Sequence, residues 1–579
     1  MAHWDEMTDV LVVGSGGGGM TAALAAHEKG ARALVLEKGT HYGGTTAMSG
    51  GALWVPCNHL MAAKGIPDSR DEALTYLQTI TKGAVSTERL AAYVDGAPAM
   101  LQFLEEKTHA RFDAMESYAD YYPEERGGKP GARTVEARVF AGGKLGPELD
   151  TLHPPHPQEM VMGRISLTAR EAHIALTGGF KGQMLVTWRM LAYFLNLPAR
   201  IRYSRNDRLT LGNSLSGRLR FSMLQRDIPL WLRTRVTGLV TEGGRVVGVN
   251  AERDGRPIRI RAEKGVILAA GGFARNEAMR KEYQRAPIGT EWTAAGFPDE
   301  GDAIRMAREP GAGVELMDEA WWTPTTVVPD KEYPWLIIVE KSLPGCMLVD
   351  GHGKRFTNEA APYIDVVNDM YANHEHTGAG IPAYLIVDRR FRKRYPLGPL
   401  LPGTFEPEVA WRKKYLDTWI FKGNTPAELA EKLGIDPGGL EETFGRFNRM
   451  AATGKDEDFR KGDSAYDRYY GDPRAKPNPC LAPLTEAPFY GIRVWPGDLG
   501  TKGGLKTDAA ARVLQDSGEV IPGLYATGNC SAAVMGRTYP GAGGTIGPAM
   551  TFGYLAAVDA VTRGQDHPVS ARGGSTPPS

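Results

Sequence analysis

DVLVVGSGGGGM, residues 9–20, decides the fold of this chain. Asp9 to Val13 is a short apolar run that reads as a buried strand, and Met20 to Lys29 reads as a helix. Between them Gly14, Ser15, Gly16, Gly17, Gly18 and Gly19 satisfy the spacing G-x-G-x-x-G. Alone that spacing is weak, because glycine-rich turns are common. Placed after a strand and before a helix, it points to a dinucleotide. The first glycine permits the tight turn, the second lets backbone approach a pyrophosphate, and the third lets helix and strand pack closely. The helix N-terminus adds free N–H groups and the positive end of its dipole.

Outward from this turn, Ala33 to Glu37 (ALVLE) reads as a second buried strand and completes a βαβ unit. Glu37 falls about 20 residues past the first glycine, where a carboxylate accepts hydrogen bonds from a ribose and repels a 2′-phosphate. That favours FAD or NAD over NADP, and Lys38 beside it joins the expected cofactor residues. Gly43, Gly44, Thr45 and Thr46 can supply N–H and O–H donors to the same pyrophosphate. An NAD enzyme has no need of this second cradle, so the reading moves to FAD. GVILAAGG (residues 265–272) repeats the strand-then-glycine pattern with Gly271 and Gly272, as GLYATGN (residues 523–529) does with Gly528 and Asn529. Gly544, Thr545 and Ile546 lead into a closing helix with Pro548 in its first turn. Its dipole could face the pyrimidine end of a flavin.

These segments predict an α/β chain: a Rossmann-like FAD-binding domain with an inserted α+β catalytic domain. The FAD-binding part takes residues 1–285 and 486–579, the latter with a disordered tail from Arg572, and the insertion takes 286–485. The insertion is rich in Trp, Tyr, Pro and charge and lacks the βαβ rhythm. Trp321, Trp322, Pro324 and Trp335 in it read either as the lining of a flat apolar cleft or as plain core.

Lys+Arg and Asp+Glu both number 68, so formal net charge is zero and nothing suggests nucleic acid. Cys57, Cys346, Cys480 and Cys530 form no CxxC pair, which argues against a zinc site or a disulfide framework. Residues 1–10 lack the apolar stretch of a signal peptide, and no run of about 18 apolar residues predicts a membrane span. A cytoplasmic setting is expected. Residues 184–235 interleave apolar runs with arginine and allow two readings. In one, Trp188, Leu191, Phe194 and Leu195 form an apolar face on a membrane surface, with Arg200, Arg202 and Arg205 near headgroups. In the other, the segment is a buried helical hairpin with solvated arginines.

The blocks at residues 12–51, 267–273 (ILAAGGF) and 523–552 resemble the fumarate reductase and succinate dehydrogenase flavoprotein superfamily. Within it the chain resembles the bacterial 3-ketosteroid Δ1-dehydrogenases. The segments that carry this are YADYYPE (118–124), SLPGC (342–346), RFTNEAAPY (355–363), SAYDRYYGDP (464–473), PGDLGTKGG (496–504) and VMGRTYPGAGGTIGPAMTF (534–552). The resemblance implies a 3-ketosteroid substrate, an external electron acceptor and removal of hydrogen from C1 and C2. GGTTAMSGG (43–51) lacks the histidine that some members use to attach flavin covalently, which implies non-covalent FAD.

That reaction needs a carbonyl polariser, a base and a placed flavin. Tyr539 and the backbone N–H of Gly543, four residues apart in TYPGAGG, could donate to one carbonyl oxygen, and the matching family residues have this role. Tyr363 is the chosen base and Tyr371 the alternative, since the family's base lies in this part of the chain. Tyr121 is expected to hydrogen-bond the base and relay its proton, with Tyr118 and Tyr122 as alternatives. A free tyrosine has a pKa of about 10, so the base needs its phenolate stabilised by donors or positive charge. No arginine acid or HPT-type pattern of the fumarate reductases is found.

Overall fold

The computed structural model describes residues 3–203 and 205–563, so the tail expected from Arg572 lies outside the described residues. In chain order the elements that frame the site are β1 (Glu6–Val13), α1 (Gly17–Glu28), β2 (Ala33–Leu36), α2 (Ala169–Thr177), α3 (Phe180–Leu195), β3 (Thr234–Glu242), β4 (Arg245–Arg253), β5 (Arg256–Leu268), β6 (Ala320–Thr326), α4 (Tyr363–Thr377), β7 (Ala383–Val387), α5 (Ala465–Tyr470), β8 (Phe489–Thr501), β9 (Val520–Ala526) and α6 (Ile546–Arg563).

β1 lies between β2 and β5, parallel to both, and β9 adds in parallel to the end of β5. Val10, Leu11 and Val12 are fully buried, as central parallel strands covered on both faces require. Helices α1 and α6 pack together over this sheet. β3, β4 and the first half of β5 form an antiparallel meander. The sequence reads residues 265–272 as a strand of their own followed by glycines. Instead β5 runs unbroken from Arg256 to Leu268, exchanging β4 for β9 as its neighbour on one side. Gly265 stands at the exchange, where a Cβ would meet the Tyr525 ring at 2.9 Å.

A second, six-stranded sheet has β8 at its centre, antiparallel to β6 and β7. β8 begins after residue 485 and ends at Thr501, so this sheet reaches beyond the span 286–485. Trp322 of β6 is fully buried with Nε1 donating to Glu319 at 3.0 Å, and it is core. Trp321 is also buried, but it faces Tyr539 with ring centroids 4.8 Å apart.

The reading of 184–235 as a buried hairpin holds for the helix Leu211–Leu224, which is largely buried, and fails for α3. Phe180, Met184, Trp188, Leu191, Phe194 and Leu195 of α3 are all exposed, Trp188 at 62% and Leu195 at 74%. Only Gly182 of α3 is buried. Arg202 is exposed, but Arg205 turns inward, donating to the Leu152 carbonyl at 2.7 Å and to Asn213. The side chain of Arg200 lies outside the described residues. Among the described residues no helix is long and apolar enough to cross a membrane.

Candidate active site

The glycine turn is built for close approach. A Cβ on Gly14, whose φ is +108°, would meet the Ala269 carbonyl at 2.3 Å, and one on Gly19 would meet the Gly14 carbonyl at 2.1 Å. Gly18 lies against Ala549 at the start of α6, where a Cβ would come within 2.6 Å of its carbonyl. Gly16 has nothing nearer than 3.7 Å, so one face of the loop stays open to a phosphate. Gly17 donates its N–H to Thr46 at 3.1 Å. Ser15 donates its hydroxyl to Glu37 at 2.6 Å and accepts from Gly43 N–H at 3.1 Å, tying the two glycine loops together. The other Glu37 oxygen accepts from Gly39 N–H at 2.9 Å. Gly43 and Gly44 both take positive φ. Thr45 accepts from Gly296 N–H at 3.1 Å.

The Lys38 ammonium pairs with Asp302 (2.8 Å) and Glu300 (3.1 Å). Gly271, at φ +81°, packs against Asp299, and Gly272 against Thr501, leaving no room for a Cβ at either. Gly528 takes φ +65°, and Asn529 accepts from Trp321 Nε1 at 3.1 Å. Pro548 falls in the first turn of α6, and Gly528, Asn529, Thr545, Pro548 and Trp321 line one recess. The cradle without Cβ atoms, the Glu37 carboxylate and the donors of both loops fit the pyrophosphate and ribose of FAD.

Three tyrosines from three separate segments meet above this cradle. Tyr121 Oη donates to Tyr363 Oη at 2.8 Å. The rings of Tyr121 and Tyr539 are 5.1 Å apart and those of Tyr363 and Tyr539 5.5 Å. Tyr539 Oη shares a 2.7 Å hydrogen bond with Thr545 Oγ1, so one expected cofactor residue anchors an expected catalytic one. Tyr363 is the first residue of α4, and Pro362 before it fixes the approach of the chain. Tyr121 is held by its backbone N–H donating to the Pro540 carbonyl at 3.0 Å, an oxygen that also accepts from Tyr76 at 2.7 Å. Gly543 takes φ +90°, and a Cβ there would meet the backbone of Leu53 and Trp54 at 2.5 Å. Gly544 is crowded by Pro540 and Tyr539, and Ile546 opens α6.

Burial pushes Tyr363 well above the usual phenol range, Tyr539 adds to this, and the Tyr121 hydroxyl acts the other way. Tyr121 is raised by the same burial. Of the donors or positive charge that a phenolate at Tyr363 would need, the structure supplies the Tyr121 hydroxyl and the head of a 15-residue helix. Tyr371 is not in this cluster. It donates to the Pro287 carbonyl at 3.1 Å, beneath Arg285. Tyr122 donates to Asp365 at 2.9 Å, and Tyr118 to or from Tyr470 at 2.5 Å. Sequence reasoning missed α5 as part of the site: Tyr466 lies 4.8 Å from Tyr121, ring to ring. The signal was present in SAYDRYYGDP, where Tyr466, Tyr469 and Tyr470 recur at i, i+3 and i+4 and so share a helix face. All four cysteines are unpaired, and among the described residues no cluster could hold a metal.

A family described as an FAD binding domain matches residues 9–546. The 3-oxosteroid 1-dehydrogenase of Mycolicibacterium smegmatis is 44% identical over 568 residues, covering 95% of this chain and 96% of its own. The 3-oxosteroid 1-dehydrogenase of Comamonas testosteroni is 36% identical, covering 96% and 97%. The solved 3-ketosteroid delta1-dehydrogenase of Sterolibacterium denitrificans, in complex with 1,4-androstadiene-3,17-dione, superposes with a TM-score of 0.93 at 44% identity, covering 96% of this chain and all of that one. Fold, glycine cradle and these likenesses together define an FAD-dependent flavoprotein oxidoreductase. Within the fumarate reductase and succinate dehydrogenase flavoprotein superfamily, the chain belongs to the 3-oxosteroid 1-dehydrogenase family.

Proposed function

We propose that the chain introduces the C1–C2 double bond into 3-ketosteroids, with Tyr363 as base. The observation that carries this is the meeting of Tyr121, Tyr363 and Tyr539 beside the cofactor cradle, each from a different part of the chain. Bound FAD supplies the hydride acceptor for C1, and an external acceptor reoxidises it. Tyr539 Oη and Gly543 N–H donate to the C3 oxygen and stabilise the charge that grows there as C2 loses its proton. Among the described residues the Gly543 N–H makes no hydrogen bond within the chain, which leaves it free for that oxygen. Tyr363 takes the C2 proton, and Tyr121 holds the phenolate by its 2.8 Å hydrogen bond. Trp321 beside Tyr539 gives the ring system an apolar wall. The test is direct: purified yellow protein, androst-4-ene-3,17-dione and an artificial electron acceptor, with product identification. The 1,4-diene is expected; its absence with several 3-ketosteroids overturns the reading.

α3 is proposed to rest on a lipid surface. Its exposed Phe180, Met184, Trp188, Leu191 and Leu195 form an apolar face, and exposed Arg164, Arg170, Lys181 and Arg202 lie around it. That combination suits the boundary between acyl chains and anionic headgroups, from which a steroid can be drawn. In co-sedimentation with anionic liposomes at low salt, the protein is expected in the pellet. The double variant Trp188→Asp/Leu191→Glu is expected in the supernatant, and a wild type that also stays there sinks the proposal.

A further inference from the structure

Two buried lysines stand behind the segments that carry Tyr363 and Tyr539. Lys341 lies in the short turn Glu340–Ser342, and Lys502 follows the last residue of β8. Each is 1% exposed. Lys341 Nζ donates to the Glu359 carbonyl at 2.9 Å and to the Ala361 carbonyl at 2.5 Å. Lys502 Nζ donates to the Gly536 carbonyl at 3.2 Å and to the Thr538 carbonyl at 2.6 Å. The same device is used twice: one amine group gathers two carbonyls at i and i+2 from the chain that leads into a site tyrosine. Only Pro362 separates Ala361 from Tyr363, and Thr538 immediately precedes Tyr539. Lys502 also lies over the Trp321 ring, 4.5 Å from its centroid, and Trp321 faces Tyr539.

The far end of each lysine is tied to the substrate-side sheet. The Lys502 N–H donates to the Glu319 carbonyl at 3.0 Å, and its own carbonyl accepts from Ala533 at 3.0 Å. The Lys341 carbonyl accepts from Cys346 Sγ at 3.3 Å, and Cys346 opens the strand Cys346–Val349 of that sheet. Among the described residues neither lysine forms an ion pair. The carboxylates that act on them are engaged elsewhere: Asp365 accepts from Tyr122, Asp467 from Asn358 and Gly462, and Glu319 pairs with Arg537. Burial accordingly pulls both lysines below their usual range. A buried amine of this kind is an expensive way to satisfy two carbonyls, since a hydroxyl or a water molecule does so without desolvating a charge. What lysine adds is several donors on a long stem, enough to hold a segment from an anchor on another element.

We infer that Lys341 and Lys502 are the positioning residues of this site: they clamp the segments bearing Tyr363 and Tyr539 to one sheet, in register for adjacent atoms of one steroid ring. The inference rests on the roles given above to the two tyrosines. C2, which loses the proton, is bonded to C3, whose oxygen gains the charge. Base and donor must therefore keep a fixed separation although they ride on different parts of the chain. A misplacement of about 1 Å can cost 10²-fold in rate.

Lys341→Met and Lys502→Met keep the apolar stem and lose the donors. In anaerobic stopped-flow reduction of the holoenzyme by androst-4-ene-3,17-dione, the limiting rate should fall roughly 10- to 100-fold in each, with FAD content and steroid Kd within about threefold of wild type. Two readouts that involve no hydride transfer tell the clamps apart. Lys341→Met should slow exchange of the C2 hydrogen with deuterated water and leave the binding of estradiol unchanged. Lys502→Met should weaken estradiol, whose phenol oxygen takes the place of the C3 enolate oxygen, about 10-fold more than it weakens the 3-ketosteroid. Lys341→Gln and Lys502→Gln return an N–H donor and should recover part of each loss; where a Met variant does not hold FAD, the Gln variant takes the same measurements with a smaller expected loss. If the wild type is reduced and the variants keep its limiting rate, C2 exchange and estradiol affinity, with only a lower Tm, the lysines are structural and this inference fails alone. If no 3-ketosteroid reduces the wild type, the reading of the tyrosines fails and the clamps fail with it.

Discussion

Changing Tyr363 to phenylalanine is expected to slow anaerobic flavin reduction by 3-ketosteroid about 10²–10⁴-fold while FAD stays bound. The substitution removes one oxygen from a ring that is 5% exposed and packed edge-on against Tyr121 and Tyr539. Phenylalanine fills the same volume, so the cluster keeps its shape. What changes is the fate of the C2 proton, which loses its acceptor, and of the Tyr121 hydroxyl, which loses its partner. An orphaned buried hydroxyl costs about 1–3 kcal/mol, so a lower Tm is expected alongside intact flavin absorbance. Exchange of the C2 hydrogen with deuterated water, read by mass spectrometry, should vanish with the rate. Tyr371→Phe should leave both unchanged, because that hydroxyl is bound to Pro287 and belongs to another cluster. Near-normal exchange in Tyr363→Phe would falsify its role as base.

Tyr539→Phe is the second large effect, roughly 10²–10³-fold in kcat, the range for losing one donor to a developing oxyanion. Here the donor is shared: Tyr539 Oη is 2.7 Å from Thr545 Oγ1, and Thr545 stands one residue before α6. Removing the phenol oxygen therefore frees Thr545, so flavin retention must be measured together with turnover. Full FAD occupancy with a depressed kcat and little change in KM is the expected pattern, because the ketone binds before its charge develops. Turnover within a few-fold of wild type would remove Tyr539 from the reaction. Loss of FAD would make it a cofactor anchor instead.

Local chemistry was the part of this molecule that its sequence stated openly. Gly14 to Gly19 had to be a strand-to-helix turn, because the close contacts with Ala269 and Ala549 exclude any Cβ at Gly14 and Gly18. Glu37 and the loop at Gly43 were legible for the same reason, although their direct link through Ser15 was not. Tyr121, Tyr363 and Tyr539 could be named by resemblance to a family, but composition and spacing say nothing of their meeting. Tyr121 and Tyr539 are hundreds of residues apart and are joined by the bond from Tyr121 N–H to Pro540. The ion pairs of Lys38 were not legible because its partners, Glu300 and Asp302, come from a distant turn.

β8 has a bearing on protein engineering. It is the central strand of the substrate-side sheet, and its far end is sewn into the cofactor side: Phe273 N–H donates to Thr501 at 3.1 Å, and Asp498 pairs with Arg280 at 2.7 Å. A chimera that exchanges residues 286–485 with those of a relative would replace β6 and β7 but leave behind the strand they both zip onto. Swaps intended to change steroid preference should carry 286–501 as one cassette, so that the graft arrives with its own keel.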